Sequence, residues 1–405
     1  MAVVLLALLA GACSADDDAA GGDSGPTTTA GPPTILIAVG GPFSGEAKVL
    51  GDQIRAGAKL AAEQINAAGG ITAGPFKGLP VELDESFDDG NVPDRAVEGM
   101  LRAVDDARYM AFVGSASSDA SVGAARVASE AGLSYMVAFA TSPEILAAAR
   151  AQKSVFVVPP SAAASALAVT EELLQTSRRR PAIIHRAGTD GEGVARLVGQ
   201  RLTERSVPPL AVESFGPADS DYTAQLGRIR DAGPDSLVMI GDARSEARIL
   251  RQAAQIGLTV AAFDAAGVAN REAFLTEAGD LANGVVGVAL TDAQRGTPAA
   301  RALQQAYTAA TGEPGLPAPA AFAYEGVQAV AAGFADGAAG RLELSDHLQR
   351  ISLPDTGVGP LRFSPDGSRI GGRLVVFTIV NGTPVLRTGY EQTGPAAVRE
   401  VALER

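Results

Sequence analysis

Two short segments of this chain place hydroxyl side chains immediately before predicted helices. One is Gly114–Asp119, with the sequence GSASSD, and the other is Phe139–Glu144, with the sequence FATSPE. Each segment follows an apolar run that predicts a parallel strand, and ligands of open parallel sheets bind where such strands end. Helix N-termini offer unpaired N–H groups and the positive end of the helix dipole. Both segments are therefore candidates for binding an anionic group of a small molecule.

The same residues have a simpler interpretation as helix caps. Thr141 and Glu144 have the spacing of a capping box, and Pro143 is typical of a first helical turn. Serine and threonine are enriched at helix N-termini in every class of protein. The residues alone leave the two interpretations open.

Other residues that could support catalysis or metal binding show no recognisable arrangement. A hydrolase on an α/β scaffold needs a nucleophile elbow of G-x-S-x-G type, which Val113–Ser117 does not provide. His185 and His347 are the two histidines and lie far apart in the sequence. The glycine-rich turn at 188–193 lacks the spacing of a nucleotide-binding loop. We therefore expect no enzyme activity, no metal and no cofactor.

The composition narrows the class of protein further. The chain has 405 residues, of which 46% are hydrophobic and 20% charged, as in a globular protein with a sizeable core. The formal net charge of −13 argues against a nucleic-acid partner, which needs a basic face. The length beyond the first 33 residues suggests two lobes within one chain.

The N-terminal sequence predicts a cleaved leader peptide followed by a flexible polar tether. Residues 2–12 are almost wholly aliphatic and too short to span a bilayer, which is typical of a signal peptide. The chain's single cysteine, Cys13, follows directly and resembles the lipid-modified cysteine of a bacterial lipobox. We expect a signal peptide at 1–12 and a lipid-anchored tether at 13–33, so that the protein is anchored to the outer face of the cytoplasmic membrane. An ordinary secretory signal with a chance cysteine is the alternative.

From Thr34 onward, short apolar runs alternate with segments of helical periodicity. Thr34–Val39, TILIAV, is typical of a parallel strand that is covered on both faces. Two βα series of similar size, one before and one after Pro159-Pro160, predict an α/β fold of two doubly wound parallel-sheet lobes. Near the C-terminus, Asn381-Gly382 between apolar runs predicts a type I′ hairpin.

Six stretches in the same order carry a family resemblance. The chain resembles the type I periplasmic binding proteins, and within them the leucine/isoleucine/valine-binding branch that serves ABC importers. The stretches are ILIAVGGPFSGEAKVLGDQIRAGAKLAAEQINAAGGI (35–71), GSASSDASVGAARVASEAGLSYMVAFATSPEIL (114–146), AIIHRAGTDGEGVAR (182–196), DYTAQLGRIRDAGPDSLVMIG (221–241), ILRQAAQIGL (249–258) and GPLRFSPDGS (359–368).

The resemblance implies two lobes that are joined by three crossing segments and close like a Venus flytrap on a ligand between them. It places the first lobe at 34–158 plus 288–366 and the second at 159–287 plus 367–392, followed by a C-terminal tail at 393–405. It also implies that a permease recognises the closed form. We expect the protein to be a monomer.

In the first lobe, the resemblance assigns the ligand's α-carboxylate to three groups. They are the Ser118 side chain, the Phe139 backbone and the Thr141 hydroxyl. Leu50 stands where relatives often carry Trp or Tyr in the first loop.

The second lobe departs from the pattern of amino-acid-binding relatives. Asp190 replaces a tyrosine before the GEG turn, and Ala243-Arg244 replaces an aromatic residue that holds the ammonium. Asp264 is the nearest candidate for the expected acidic residue, although Ala266 aligns as well. Because Arg244 would repel an ammonium, the ligand is either not a simple branched-chain amino acid or is held differently. An anionic or polar metabolite held by Arg244, Asp190 and Asp264 is as plausible.

These observations predict a solute-binding component of an importer, without a bond-making step. It would hold a small polar metabolite, such as an amino acid or derivative, an amide or urea, or a small carboxylate. A sensor that uses the same closure to signal to a partner protein is the alternative within this fold.

Overall fold

The structure is a computed structural model that describes residues 33–269, 271–291, 297–394 and 397–403, apart from the side chains of Thr189 and Asp190. The expected signal peptide, Cys13 and all of the expected tether except Pro33 lie outside the described residues. The strands are β1 (Ile35–Gly41), β2 (Val81–Asp88), β3 (Tyr109–Gly114), β4 (Ser134–Val137), β5 (Val155–Val157), β6 (Pro181–Arg186), β7 (Val212–Phe215), β8 (Ser236–Ile240), β9 (Ala261–Asp264), β10 (Val286–Ala289), β11 (Arg362–Phe363), β12 (Arg369–Ile370), β13 (Arg373–Val380), β14 (Thr383–Gly394) and β15 (Ala397–Val401). The helices are α1 (Lys48–Ala67), α2 (Pro93–Asp105), α3 (Ser118–Ala131), α4 (Pro143–Ala148), α5 (Ala162–Gln175), α6 (Thr189–Glu204), α7 (Thr223–Ala232), α8 (Ala243–Gln255), α9 (Glu272–Ala278), α10 (Pro298–Thr311), α11 (Ala318–Ala335) and α12 (Arg341–Leu348).

The first lobe is built on a parallel sheet with the strand order β2-β1-β3-β4-β5. Alternate residues of β1 point to opposite faces, so Ile35 and Ile37 join the core under α1 and α11, whereas Ala38 joins the core under α2 and α3. Burial on both faces explains the unbroken apolar run that the sequence shows. At Gly57, α1 comes so close to α11 that a Cβ atom would lie 1.9 Å from the carbonyl oxygen of Ala320.

The second lobe is built on an eight-stranded sheet with the order β15-β14-β13-β10-β9-β8-β6-β7. Strands β6 to β10 are parallel to one another, and β13, β14 and β15 continue the sheet beyond β10 as antiparallel strands. The predicted hairpin is present, because Val380 pairs with Thr383 across Asn381-Gly382. Both turn residues have positive φ, at 50° and 71°, as a type I′ turn requires.

Three boundaries differ from those expected from the sequence. β10 belongs to the second sheet, so the first lobe's second segment begins after Ala289 rather than at 288. Ser368 bridges to Val157 in β5, and β12 pairs with β11, so residues 367–370 belong with the first lobe. The expected tail is also wrong in its described part, because β15 pairs with β14 and extends the second sheet.

Buried hydrogen bonds connect two of the segments in which the chain crosses from one lobe to the other. The first crossing lies between β5 and Ser161, and Gly371-Gly372 form another. The side chain of Gln392 accepts a hydrogen bond from the Ser161 amide at 2.9 Å and donates to the Ser161 hydroxyl at 3.1 Å. The Gln392 backbone bonds to Gly371 and Gly372 at 2.7 and 2.8 Å. This residue, 0% exposed, therefore connects both crossings to β14.

Candidate functional site

A cleft of about 320 Å³, partly open to solvent, lies between the two lobes. Both lobes contribute to its walls, largely through loops that follow the carboxyl ends of parallel strands, where such folds bind ligands. The first lobe and the connecting strand end contribute Ala47, Leu50, Asn91, Ala116, Ser117, Ser118, Phe139, Ala140, Thr141 and Leu290. The second lobe contributes Ala162, Ser165, Arg186, Gly191, Val194, Ile240, Gly241, Asp242, Ala265, Ala266, Val268 and Arg271.

Ser118 lies at the start of α3 and lines the cleft while being 1% exposed. The helix cap is the preceding residue, Ser117, whose side chain accepts a bond from the Ala120 amide at 3.4 Å. The Ser118 hydroxyl accepts a bond from the Ser142 amide at 3.3 Å. Ser118 therefore joins the two hydroxyl-bearing loops to each other, besides facing the cleft.

Thr141 also lines the cleft, but the capping box predicted for it is absent. The N-cap of α4 is Ser142, because Pro143 occupies the first helical position. The Ser142 hydroxyl donates to the carboxylate of Glu144. Among the described residues, the Thr141 hydroxyl has no hydrogen-bond partner. It is thus available to a group within the cleft.

Phe139 and Leu50 both line the cleft. The amide of Phe139 donates to the carbonyl of Ser115 at 3.2 Å, so this N–H group is already used within the loop. The guanidinium of Arg271, from the second lobe, lies 5.6 Å from the centre of the Phe139 ring. This cation–π contact spans the cleft.

Asp264 does not face the cleft as the sequence-based hypothesis required. Its carboxylate, 0% exposed, accepts four hydrogen bonds at 2.8–2.9 Å from the amides of residues 266–269. The carboxylate therefore holds the loop after β9 in shape, and the loop instead presents Ala265, Ala266 and Val268 to the cleft. The alternative alignment of Ala266 with the family position agrees better with this geometry.

Arg244 is exposed and is not part of the cleft lining, contrary to the hypothesis. It lies in the first turn of α8, where its amide donates to the capping carboxylate of Asp242 at 3.0 Å. Asp242 itself lines the cleft. For Asp190 the side chain lies outside the described part of the chain, and its neighbour Gly191 lines the cleft.

The structure adds two arginines that sequence reasoning missed. Arg186 is the last residue of β6, so the rule that ligands bind at strand ends could have identified it. Arg271 is the N-cap of α9, in a loop without hydrophobic periodicity. No pattern in the sequence indicated that its side chain would reach the cleft.

A buried acid lies beneath the cleft wall. Glu246 is 0% exposed, and its carboxyl accepts a bond from the amide of Gly241, which lines the cleft. Burial, and then the nearby Asp264 carboxylate, raise the pKa of Glu246 well above its ordinary value of 4.5. Burial also raises the pKa of Asp264, and the four amides that bind its carboxylate oppose this rise.

Glu246→Gln is expected to make the protein more stable at neutral pH. The native state retains a proton on Glu246 that the unfolded chain releases, so its stability falls as the pH rises above about 4.5. Glutamine removes this titration. Urea unfolding from about pH 5 to about pH 8 should give a flatter profile for the variant than for the parent. Profiles of equal slope would show that Glu246 is ionised in the native state.

The two lobes also meet outside the cleft, where α6 approaches the start of α4. Arg196 donates to the Glu144 carboxylate at 2.5 Å. A Cβ atom on Gly193 would lie 2.9 Å from the Glu144 carboxylate and 3.0 Å from the Ser142 hydroxyl. Glycine therefore permits this close contact between the lobes.

Within the described ranges, no group of three or more His, Cys, Asp or Glu side chains could hold a metal ion. No helix in the described part of the chain has the length and apolar character needed to span a bilayer.

Comparison with known proteins agrees with this architecture. A profile of the periplasmic binding protein family matches residues 34–384. The leucine-, isoleucine-, valine-, threonine- and alanine-binding protein of Pseudomonas aeruginosa is 27% identical over 339 residues, which are 82% of this chain and 87% of that protein.

Two solved structures share the fold. The branched-chain amino acid transporter substrate-binding protein of Streptococcus pneumoniae, in complex with isoleucine, has a TM-score of 0.73 and 23% identity, and the match covers 91% of this chain and 99% of that one. A solute-binding protein of an ABC transporter from R. palustris, in complex with benzoate, has a TM-score of 0.72 and 17% identity, over 87% and 95% of the two chains.

Proposed function

Because the chain belongs to the type I periplasmic binding proteins of the Leu/Ile/Val-binding family, we propose that it is an extracytoplasmic solute-binding protein of an ABC importer. It captures a small polar metabolite between its lobes and presents it to a permease. Lipid attached to Cys13 would hold it at the outer face of the cytoplasmic membrane.

The observation that carries this proposal is the cleft whose two walls come from different lobes. A ligand favours closure only through its differential interaction with the open and closed states. Thr141 on one side and Arg271 on the other offer polar groups that one small molecule could contact together. This arrangement supports hinge closure around such a molecule.

A thermal-shift screen of the purified protein tests the proposal. The panel contains amino acids, short amides, ureas, aliphatic and aromatic carboxylates. A solute that binds only the native state stabilises it by about 2.7 kcal/mol at a concentration of a hundred times its Kd, and so raises the Tm. If no class of small solute raises the Tm, the proposed function is wrong.

Gly193→Leu is expected to weaken binding of the solute that the screen identifies. A side chain at this position would meet Glu144 and Ser142 of the other lobe and disfavour the closed state. The apparent Kd rises in inverse proportion to the closed population, and we expect an increase of about tenfold or more by calorimetry.

Gly227→Leu is the matched control for this variant. Gly227 lies within α7, and a Cβ atom there would meet no other atom within 4 Å. Both substitutions remove a helical glycine and gain a similar helix propensity. Equal affinities of the two variants would show that the α4–α6 contact does not accompany binding.

A further inference from the structure

The second-lobe wall of the cleft carries two arginines from different elements. Arg186 ends β6, and Arg271 precedes α9. Both line the cleft and both are only partly exposed. Their positions bring two positive charges to the wall opposite the hydroxyl-bearing loops of the first lobe.

Neither guanidinium is neutralised by a carboxylate of the described chain. Among the described side chains, neither arginine forms an ion pair or a hydrogen bond, and the Nε atom of Arg186 is buried without an acceptor. Other arginines of the same lobe do have such partners, as Arg248 and Arg251 have in Glu277 at 2.8 and 2.6 Å. Within the described side chains, the two cleft arginines therefore differ from other arginines of this lobe in having no anionic partner.

Three described acids that act on the charge of Arg271 are engaged elsewhere. The Asp264 carboxylate accepts four amides of its own loop, and Glu246 is buried with its pKa raised well above the ordinary value. Asp242 accepts the amides of Arg244 and Ser245 as the cap of α8. Burial lowers the pKa of Arg271, as desolvation of an incompletely paired cation does.

We propose that the ligand carries two carboxylates, one held by the first lobe and the second held by Arg271 together with Arg186. This inference rests on the proposed solute-binding function and assigns the chemical class of its solute. A guanidinium binds a carboxylate in bidentate fashion and more strongly than a neutral donor does. Val194, Ile240 and Val268 also line the second-lobe wall, and their apolar side chains suit a short carbon chain.

Calorimetry with matched pairs of solutes tests the second carboxylate. Glutarate is compared with pentanoate, and glutamate with norvaline, so that each pair differs mainly in one carboxylate. Charge-assisted bonds of this kind predict that the dicarboxylate binds about tenfold to a hundredfold more tightly than its partner in at least one pair. The two pairs also distinguish a plain dicarboxylate from an amino dicarboxylate.

Arg271→Met should remove that selectivity, so that the two members of the pair bind with similar affinity. Arg244→Met is the matched control, because this exposed arginine of the same lobe does not line the cleft. Arg271→Gln provides a second variant of the same position if the methionine variant misfolds. Urea unfolding of each variant reports its stability.

The outcomes separate this inference from the proposed function. Selectivity that Arg271→Met loses and Arg244→Met retains supports a dicarboxylate ligand. Tight binding of leucine or of a monocarboxylate, without preference for a second carboxylate, overturns the inference and leaves the solute-binding function standing. Failure of every solute to bind overturns both.

Discussion

Arg369→Met is expected to lower the free energy of unfolding by about 3–5 kcal/mol, because it leaves a buried carboxylate without its counter-ion. The Arg369 side chain is 1% exposed and that of Glu325 is 0% exposed. The guanidinium nitrogens lie 2.5 and 2.9 Å from the two carboxylate oxygens. They also donate to the carbonyls of Val158 and Pro360, each at 2.9 Å.

Urea unfolding monitored by circular dichroism measures this effect, with two comparisons. Arg108→Met breaks the ion pair with Asp106 on the surface, where the arginine is 76% exposed, and should leave the transition unchanged. Arg369→Met combined with Glu325→Leu removes both buried charges and should recover part of the lost stability. A single Arg369→Met variant that unfolds at the parent's urea concentration would contradict the prediction.

The same ion pair fixes the geometry of the crossing segments. Val158 lies at the start of the first crossing, and Arg369 lies two residues before the Gly371-Gly372 crossing. A Cβ atom on Gly372 would lie 2.7 Å from the Arg369 side chain and 3.0 Å from Pro160, so the segments are in close contact. The pair therefore holds these crossing segments together as well as contributing to stability.

The parallel sheets could be predicted from the sequence because a strand that is buried on both faces is apolar at nearly every position. TILIAV and the other apolar runs of the two βα series are confirmed as strands of two sheets. Asn381-Gly382 predicted its hairpin because few residue pairs adopt the two positive φ angles of a type I′ turn. β15 was missed because its residues are mostly exposed, without the alternation of a half-buried strand.

The site was predictable where it depends on backbone topology and not where it depends on side-chain direction. Ser118 and Thr141 follow strand ends, and they line the cleft as that rule suggests. Arg244 and Arg271 both lie in loops or at helix starts of the second lobe, and periodicity carries no information on which one faces inward. Only the packed structure distinguishes Asp264, which binds its own loop, from an acid that faces a ligand.

Ser118→Ala combined with Thr141→Ala is expected to raise the Kd of the solute found in the screen by roughly a hundredfold or more. Both side chains line the first-lobe wall, where hydroxyls can donate to a carboxylate of the ligand. Hydrogen bonds to charged groups contribute about 1.5–3 kcal/mol each, and two of them account for this loss. Calorimetry of the single and double variants measures it and shows whether the two contributions add.

Stability must be measured beside affinity, because Ser118 has a structural bond as well. Its hydroxyl accepts the amide of Ser142, so Ser118→Ala should lower the free energy of unfolding by about 1 kcal/mol. Thr297→Ala is the control, since it removes the cap of α10 in the same lobe at a similar cost and does not line the cleft. If Thr297→Ala weakens binding as much as the double variant does, the loss of affinity results from the lower stability of the first lobe. If only the double variant loses affinity, the hydroxyls hold the ligand, because the two proteins are then destabilised alike and differ only in the wall of the cleft.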